Sequence, residues 1–166
     1  MYSAGDNVVY GTHGVCSICE VTSMLFGSEM RDYYVLSPLS DPKSKIFVPV
    51  DNETLLSQMR PIMTKEEIAD LLDSVVPDAL EWIPNDSERK SFCTAVIKSG
   101  DRMALINLIE MLWKHQERMR DAKKHFHVTD ERFLRDAEKM LGEEFSFVLG
   151  IPSYEIPGYI SSKIAK

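Results

Sequence analysis

The hydrophobic pattern of the chain changes period once, and that change divides it. Up to about residue 50 the apolar residues come in short runs separated by turn formers. Val8-Val9-Tyr10 lies between Gly5-Asp6 and Gly11, and small and β-branched residues fill 15–21 after His13-Gly14. Tyr33-Tyr34-Val35-Leu36 and Ile46-Phe47-Val48 follow, with Gly27-Ser28, Pro38 and Asp41-Pro42 as breaks. Runs of this residue type between turn signals predict strands. Several of them in so short a span predict a small, strongly bent antiparallel sheet or barrel, with no helix before residue 50.

Beyond Pro61 the spacing becomes helical. Thr64-Lys65-Glu66-Glu67 has the form of a capping box, in which the Thr64 hydroxyl accepts from the Glu67 amide and the Glu67 carboxylate reaches back. Ile68, Leu71, Leu72 and Val75 follow at helical intervals, and Pro77 ends the run. Residues 78–84 form a connector that carries Trp82. Asn85 or Asp86 is placed to cap a second helix ending at Ser99-Gly100, and Asp101 to cap a long third one through about Ala122. Thr129 is the expected cap of a fourth, whose apolar side runs Phe133, Leu134, Ala137, Met140, Leu141, Phe145 and Val148. Gly150 and Pro152 stop it. A short last helix, interrupted near Pro157-Gly158, is expected to pack back through Tyr154, Ile156, Tyr159, Ile160 and Ile164. Strands first and helices afterwards predict an α+β chain in two parts: a small antiparallel β domain over 1–60 and an α-helical bundle domain over 61–166, with the boundary inside 51–63.

Composition narrows the class. The chain has 166 residues, 44% hydrophobic and 27% charged, which fits a folded soluble protein able to bury a core without metals or disulfides. Its apolar stretches are short and broken by charge, and the N-terminus has no basic-then-apolar leader. Three cysteines do not make a secreted disulfide framework. A cytoplasmic protein with no membrane partner is expected. The net charge of −7 argues against a general nucleic-acid coat protein. The distribution qualifies that: residues 87–127 hold nine basic side chains, among them Arg89, Lys90, Lys123 and Lys124, against five acidic ones.

Few residues suggest chemistry. Cys16 and Cys19 form a C-x-x-C with His13 just before it. A structural zinc site needs four ligands and usually shows a second pair, residues i and i+3 of a strand point to opposite faces, and a redox C-x-x-C should open a helix. Metal binding is therefore not expected, and a zinc- or thiol-dependent protein using Cys16 and Cys19 is an alternative reading. His125 and His127 flank Phe126 in what reads as a loop. There is no nucleophile elbow, P-loop or dinucleotide fingerprint, so no catalytic residue, cofactor or small-molecule substrate is assigned and the protein is read as a non-enzyme. Trp82 stands out. It lies beside Glu81, Pro84, Asn85 and Asp86, ahead of Arg89-Lys90. It reads either as a residue packed where the two domains meet, or as an aromatic wedge beside cations, of the kind that presses into a minor groove where a duplex opens. Trp113, after Leu112 on the long helix, reads as core.

In order and spacing these pieces resemble the CarD family of bacterial RNA polymerase-binding transcription factors over nearly the whole chain. The resemblance is carried by Gly5-Asp6-Asn7-Val8-Val9-Tyr10 with His13-Gly14, Tyr33-Tyr34-Val35-Leu36, and Ile46-Phe47-Val48-Pro49-Val50-Asp51-Asn52. In the helical part it is carried by Lys98-Ser99-Gly100-Asp101 and the stretch from Arg132-Phe133-Leu134-Arg135-Asp136-Ala137. It implies a Tudor-like β domain, similar to the polymerase-binding module of transcription-repair coupling factors, that docks on the β subunit of RNA polymerase. It also implies a helical domain that touches promoter DNA at the upstream edge of the bubble, without sequence-specific recognition, and so modulates open-complex stability. On this resemblance the polymerase-facing positions are Ser23, Met24, Arg31, Lys45, Phe47 and Pro49, and the DNA-facing ones Trp82, Arg89, Lys90, Lys123 and Lys124. Two features depart from the family pattern. Counted back from Ser99-Gly100-Asp101, the family's tryptophan position falls near Asp86, about four residues after Trp82. Ser23-Met24 and Phe47 stand where family members carry basic residues. A protein–protein adaptor of the transcription machinery without DNA contact is the other alternative.

Overall fold

A computed structural model describes residues 1–165, in two compact units, Met1–Met63 and residues 64–165. The class is α+β: an antiparallel five-stranded sheet comes first and a helical region follows.

The first unit contains β1 (Asn7–Tyr10), a 3-10 turn at Gly11–His13, β2 (Val15–Phe26), β3 (Glu29–Pro38), β4 (Ile46–Pro49), the one-turn helix α1 (Glu53–Leu56) and β5 (Met59–Pro61). The strand order is β4-β3-β2-β1-β5. Val8, Tyr10, Cys16, Ile18, Tyr34, Leu36, Val48 and Met59 form its core. β2 and β3 make a long hairpin closed at Gly27-Ser28. Their ladder slips by one residue between Ile18 and Glu20, a bulge with Cys19 as the extra residue. Cys16 is buried in the core and Cys19 is exposed, so the two thiols do not converge. Among the described residues no group of three or more His, Cys, Asp or Glu side chains is placed to hold a metal.

The second unit holds α2 (Lys65–Asp73), α3 (Asp86–Ser99), α4 (Arg102–Asp121), α5 (Val128–Leu149), a 3-10 turn at Ser153–Glu155 and α6 (Ile156–Ile164). Local chemistry sets most of the boundaries. Thr64 and Glu67 form the reciprocal capping box, Asn85 accepts from Glu88 N–H and Asp101 from Ala104 N–H. Gly100 and Gly150 end α3 and α5 at φ 63° and 71°, in the left-handed region open to glycine. Three boundaries differ from the sequence reading. α2 ends at Asp73 with Ser74 as its cap, so Val75 lies beyond the helix that Pro77 was expected to stop. The cap of α5 is His127, whose Nδ1 accepts from Thr129 N–H at 3.2 Å, so Thr129 lies inside the helix. Pro157 does not interrupt α6 but sits in its first turn, where the missing N–H has no intrahelical partner to lose.

α4 and α5 form the spine of this unit, through Leu105, Ile106, Leu108, Ile109 and Leu112 on one and Phe133, Leu134, Ala137, Leu141 and Phe145 on the other. Met111 of α4, Ile68 and Leu72 of α2, Cys93 and Val96 of α3, and Ile156 and Ile160 of α6 are buried with them. Tyr154 is 80% exposed and does not pack back as the spacing suggested. Trp113 is half-buried, its indole N–H donating to Glu138 Oε1 at 2.6 Å. Among the described residues no helix is long and apolar enough to cross a membrane.

Candidate functional site

Each unit presents one surface of interest. In the β unit, cross-strand partners share a face of the sheet. The register pairs Met24 with Arg31, Thr22 with Tyr33, Tyr33 with Pro49, and Val35 with Phe47. Met24, Arg31, Tyr33, Phe47 and Pro49 therefore lie on one side, opposite the face of Tyr34, Leu36 and Val48. Phe26 joins them at the hairpin tip, with the Arg31 guanidinium 5.1 Å above its ring, and Tyr33 and Phe47 meet edge to face at 6.5 Å. Met24, Phe26 and Phe47 are 42%, 61% and 47% exposed, an apolar surface with one central cation. Such a patch on a folded chain marks an interaction site. Lys45 is exposed at the entry to β4, its ammonium 3.3 Å from Cys19 Sγ. Ser23 is the residue the geometry sets apart. It pairs with Asp32 on the opposite face and donates its hydroxyl hydrogen bond to the Asp32 carboxylate.

In the helical unit the connector between α2 and α3 is laid onto α4. Asp78 has a positive φ of 58°. Its N–H donates to Glu110 Oε2 at 3.3 Å, and its carboxylate accepts from the Lys114 ammonium. Four residues on, the Trp82 ring stacks on the His115 imidazole, centroids 3.5 Å apart and planes within 7°. Arg89 places its guanidinium carbon 4.4 Å from the centre of the Trp82 ring. Arg89 is itself 5% exposed. Its Nε and Nη2 donate to the two carboxylate oxygens of Asp130 at 2.8 and 3.1 Å, Nη2 also to Asp86 at 2.8 Å, and Nη1 to the carbonyls of Ile83 and Pro84. This corrects the expectation that Arg89 faces DNA: its side chain is interior and its donors are engaged within the fold. Burial alone would lower the guanidinium pKa, but the hydrogen bonds and charge of Asp130 and Asp86 outweigh it and raise it.

Burial lowers the His115 pKa; the Asp130 charge pulls it back up, while Arg89 and Arg118 push it down further. Its Nδ1 is buried with no hydrogen-bond partner among the described residues, and Phe126, from the loop after α4, lies 6.1 Å from its ring. Trp82 is half-buried and lines a cavity of about 430 Å³ with Leu80, Glu81, Met111, Lys114 and Arg118. Lys90, Arg118, Lys123 and Lys124 are exposed. The loop that carries Lys123 and Lys124 turns back at Lys123, at φ 55°, to bring Phe126 against His115. The structure brings Trp82 and Arg89 together, and adds His115, Asp130 and Arg118. No local motif marks those three, since each comes from a helix remote in sequence from Trp82.

Comparison with known proteins agrees with the β unit. Residues 2–63 match the family described as CarD-like/TRCF RID domain. The protein named "Putative transcription factor YdeB" of Bacillus subtilis (strain 168) is 24% identical over 163 residues, spanning 96% of this chain and 99% of that one. The first unit is thus similar to the CarD-like/TRCF RID domain, and nearly the whole chain to a protein named as a putative transcription factor.

Proposed function

We propose that the protein regulates transcription by joining RNA polymerase to promoter DNA. The observation that carries this reading is the match of residues 2–63 to the CarD-like/TRCF RID domain, and the name of the B. subtilis relative agrees with a role in transcription. The β unit docks on the β subunit of the polymerase through the face of Met24, Arg31, Phe47 and Pro49, with Lys45 at its margin. The residues on that face are mainly apolar, so docking depends more on shape and burial than on long-range charge. The helical unit contacts DNA at the upstream edge of the bubble. There Lys90, Arg118, Lys123 and Lys124 meet phosphates, which orient the domain without reading bases, and the exposed part of Trp82 presses on the opening minor groove. Contacts made only with opened DNA shift the closed–open equilibrium by their differential free energy, tenfold for about 1.4 kcal/mol. This role is regulatory and involves no catalysis by the chain.

One observation favours a second reading. The interior placement of Arg89 removes a cation from the expected DNA face, which suits an adaptor whose helical unit binds a protein. Open-complex lifetime at a promoter, measured with the full chain and with Trp82→Ala, separates the two. The DNA-contact reading expects the variant to bind polymerase normally while its effect on lifetime falls severalfold. An unchanged effect rejects the wedge, and failure of the wild-type chain to bind polymerase rejects both readings.

A further inference from the structure

We infer that His115 is a positioning residue for Trp82: its imidazole, with the Arg89 guanidinium, seats the indole so that it meets DNA by its exposed part and not as a platform for a stacked base. The inference rests on the DNA contact proposed for Trp82 and deepens it.

At 3.5 Å and 7° the His115 ring lies where a base stacked on that face of Trp82 would have to lie. Arg89 takes up further space over the indole at 4.4 Å. Neither group is free to swing aside. Arg89 is anchored from α5 by Asp130 and from its own helix by Asp86. His115 projects from the 20-residue α4 and is backed by Phe126. Single-stranded nucleic-acid binders use open aromatic faces, because every base has a π-face to offer. Here the indole's face is occupied from within the unit, and what remains is its border on the cavity with Leu80, Met111, Lys114 and Arg118. That suits a wedge, which separates base steps by bulk and rigidity.

Among the described residues the Nδ1 of His115 has no hydrogen-bond partner, so its ring is present for its plane rather than for a polar contact at that nitrogen. A flat apolar ring should then replace it and a branched aliphatic of similar bulk should not.

The test uses the full chain in a Trp113→Phe background, so that Trp82 is the sole tryptophan and is excited selectively over the tyrosines. His115→Phe, His115→Leu and His115→Gln are compared for acrylamide quenching of Trp82, for polymerase binding and for open-complex lifetime. His115→Phe is expected to match the wild type in all three. The Leu and Gln variants should keep their helix content and polymerase affinity, show raised quenching, and lose roughly 2- to 10-fold of the lifetime effect, the range one aromatic pair supports. Unchanged quenching in Leu and Gln variants overturns the seat, as does a Phe variant that behaves like them. Because quenching is read without DNA, the seat is decided even if Trp82→Ala leaves open complexes unaffected and the proposed DNA contact fails.

Discussion

Asp130→Ala should be among the most damaging single substitutions in the helical unit, because it strands a charge. The Arg89 and Asp130 side chains are 6% and 4% exposed, and their paired hydrogen bonds tie α3 to α5. Removing one member of a buried pair costs about 3–5 kcal/mol, since the other is left in a medium that does not solvate it. The remaining partners of Arg89 are two carbonyls and Asp86, a carboxylate 82% exposed, which offset only part of that loss. The double variant Arg89→Met/Asp130→Leu removes both charges at similar volume. It should lose about 1–2 kcal/mol, for the stripped carbonyls of Ile83 and Pro84 and the lost contact with Trp82. The pair is therefore sharply non-additive. Urea unfolding followed by helix content reads the result directly. With a slope of about 2 kcal/mol per molar, Asp130→Ala moves the helical unit's midpoint down by roughly 2 M. Glu131→Ala, which breaks the exposed pair with Arg135 (51% and 73% exposed), is the control and should cost less than about 0.5 kcal/mol. A loss under about 1 kcal/mol for Asp130→Ala, or a double variant as unstable as the sum of the singles, would refute the buried-charge argument.

Two further outcomes follow from placement. At pH 8 the folded chain should release one equivalent from a disulfide thiol reagent within minutes, from Cys19, and the rest only on unfolding: Cys16 is buried, and burial pushes the Cys93 thiol up to about 11, with Asp130 adding to the rise. A second thiol reacting at that rate in native buffer would contradict the burial. On the sheet, Met24→Asp should weaken polymerase binding by about tenfold or more with stability changed by less than about 0.5 kcal/mol, whereas Ser23→Lys, on the opposite face, should leave binding alone; equal losses from both would rule out a one-faced interface.

What the sequence revealed was local. The caps at Thr64, Asn85 and Asp101 and the glycine stops at Gly100 and Gly150 operate within a few residues, so the spacing alone exposes them. The cap at His127 was hidden because an imidazole nitrogen is an uncommon helix acceptor and Thr129, two residues later, is a common one. The facing of Ser23 and Met24 was hidden by one inserted residue. Before the bulge the core-facing residues of β2 are even-numbered, Cys16 and Ile18. After it Val21, Ser23 and Leu25 share the face of Tyr34, so an unbroken alternation assigns Ser23 and Met24 the wrong way round. A one-residue shift in register exchanges the faces, and nothing in the composition of 18–21 announces it. The clamp around Trp82 was illegible for a different reason. Arg89 near Trp82 looks in one dimension like a cation available to phosphate. Only the packing of α3 on α5 supplies Asp130 and turns that cation inward.

That inward turn changes the electrostatic reading of the whole helical unit. Of the nine cations in 87–127, Arg89 is buried with Asp130, Arg102 holds Glu144, Lys114 is shared by Asp78 and Glu110, and Arg120 pairs with Glu117. Lys90, Lys98, Arg118, Lys123 and Lys124 are left without an ion pair among the described residues. Five such cations on a chain of net charge −7 gain little from free duplex, because each phosphate neutralised contributes only through counterion release and the rest of the surface repels. Under the proposed function, the same cations held beside the bubble by a docked β unit act intramolecularly, at an effective concentration set by the tether. Under the proposed function, a weak DNA face and an apolar sheet face are two sides of one arrangement: affinity is concentrated in the protein contact, and the DNA contact is left weak enough to respond to whether the duplex is open.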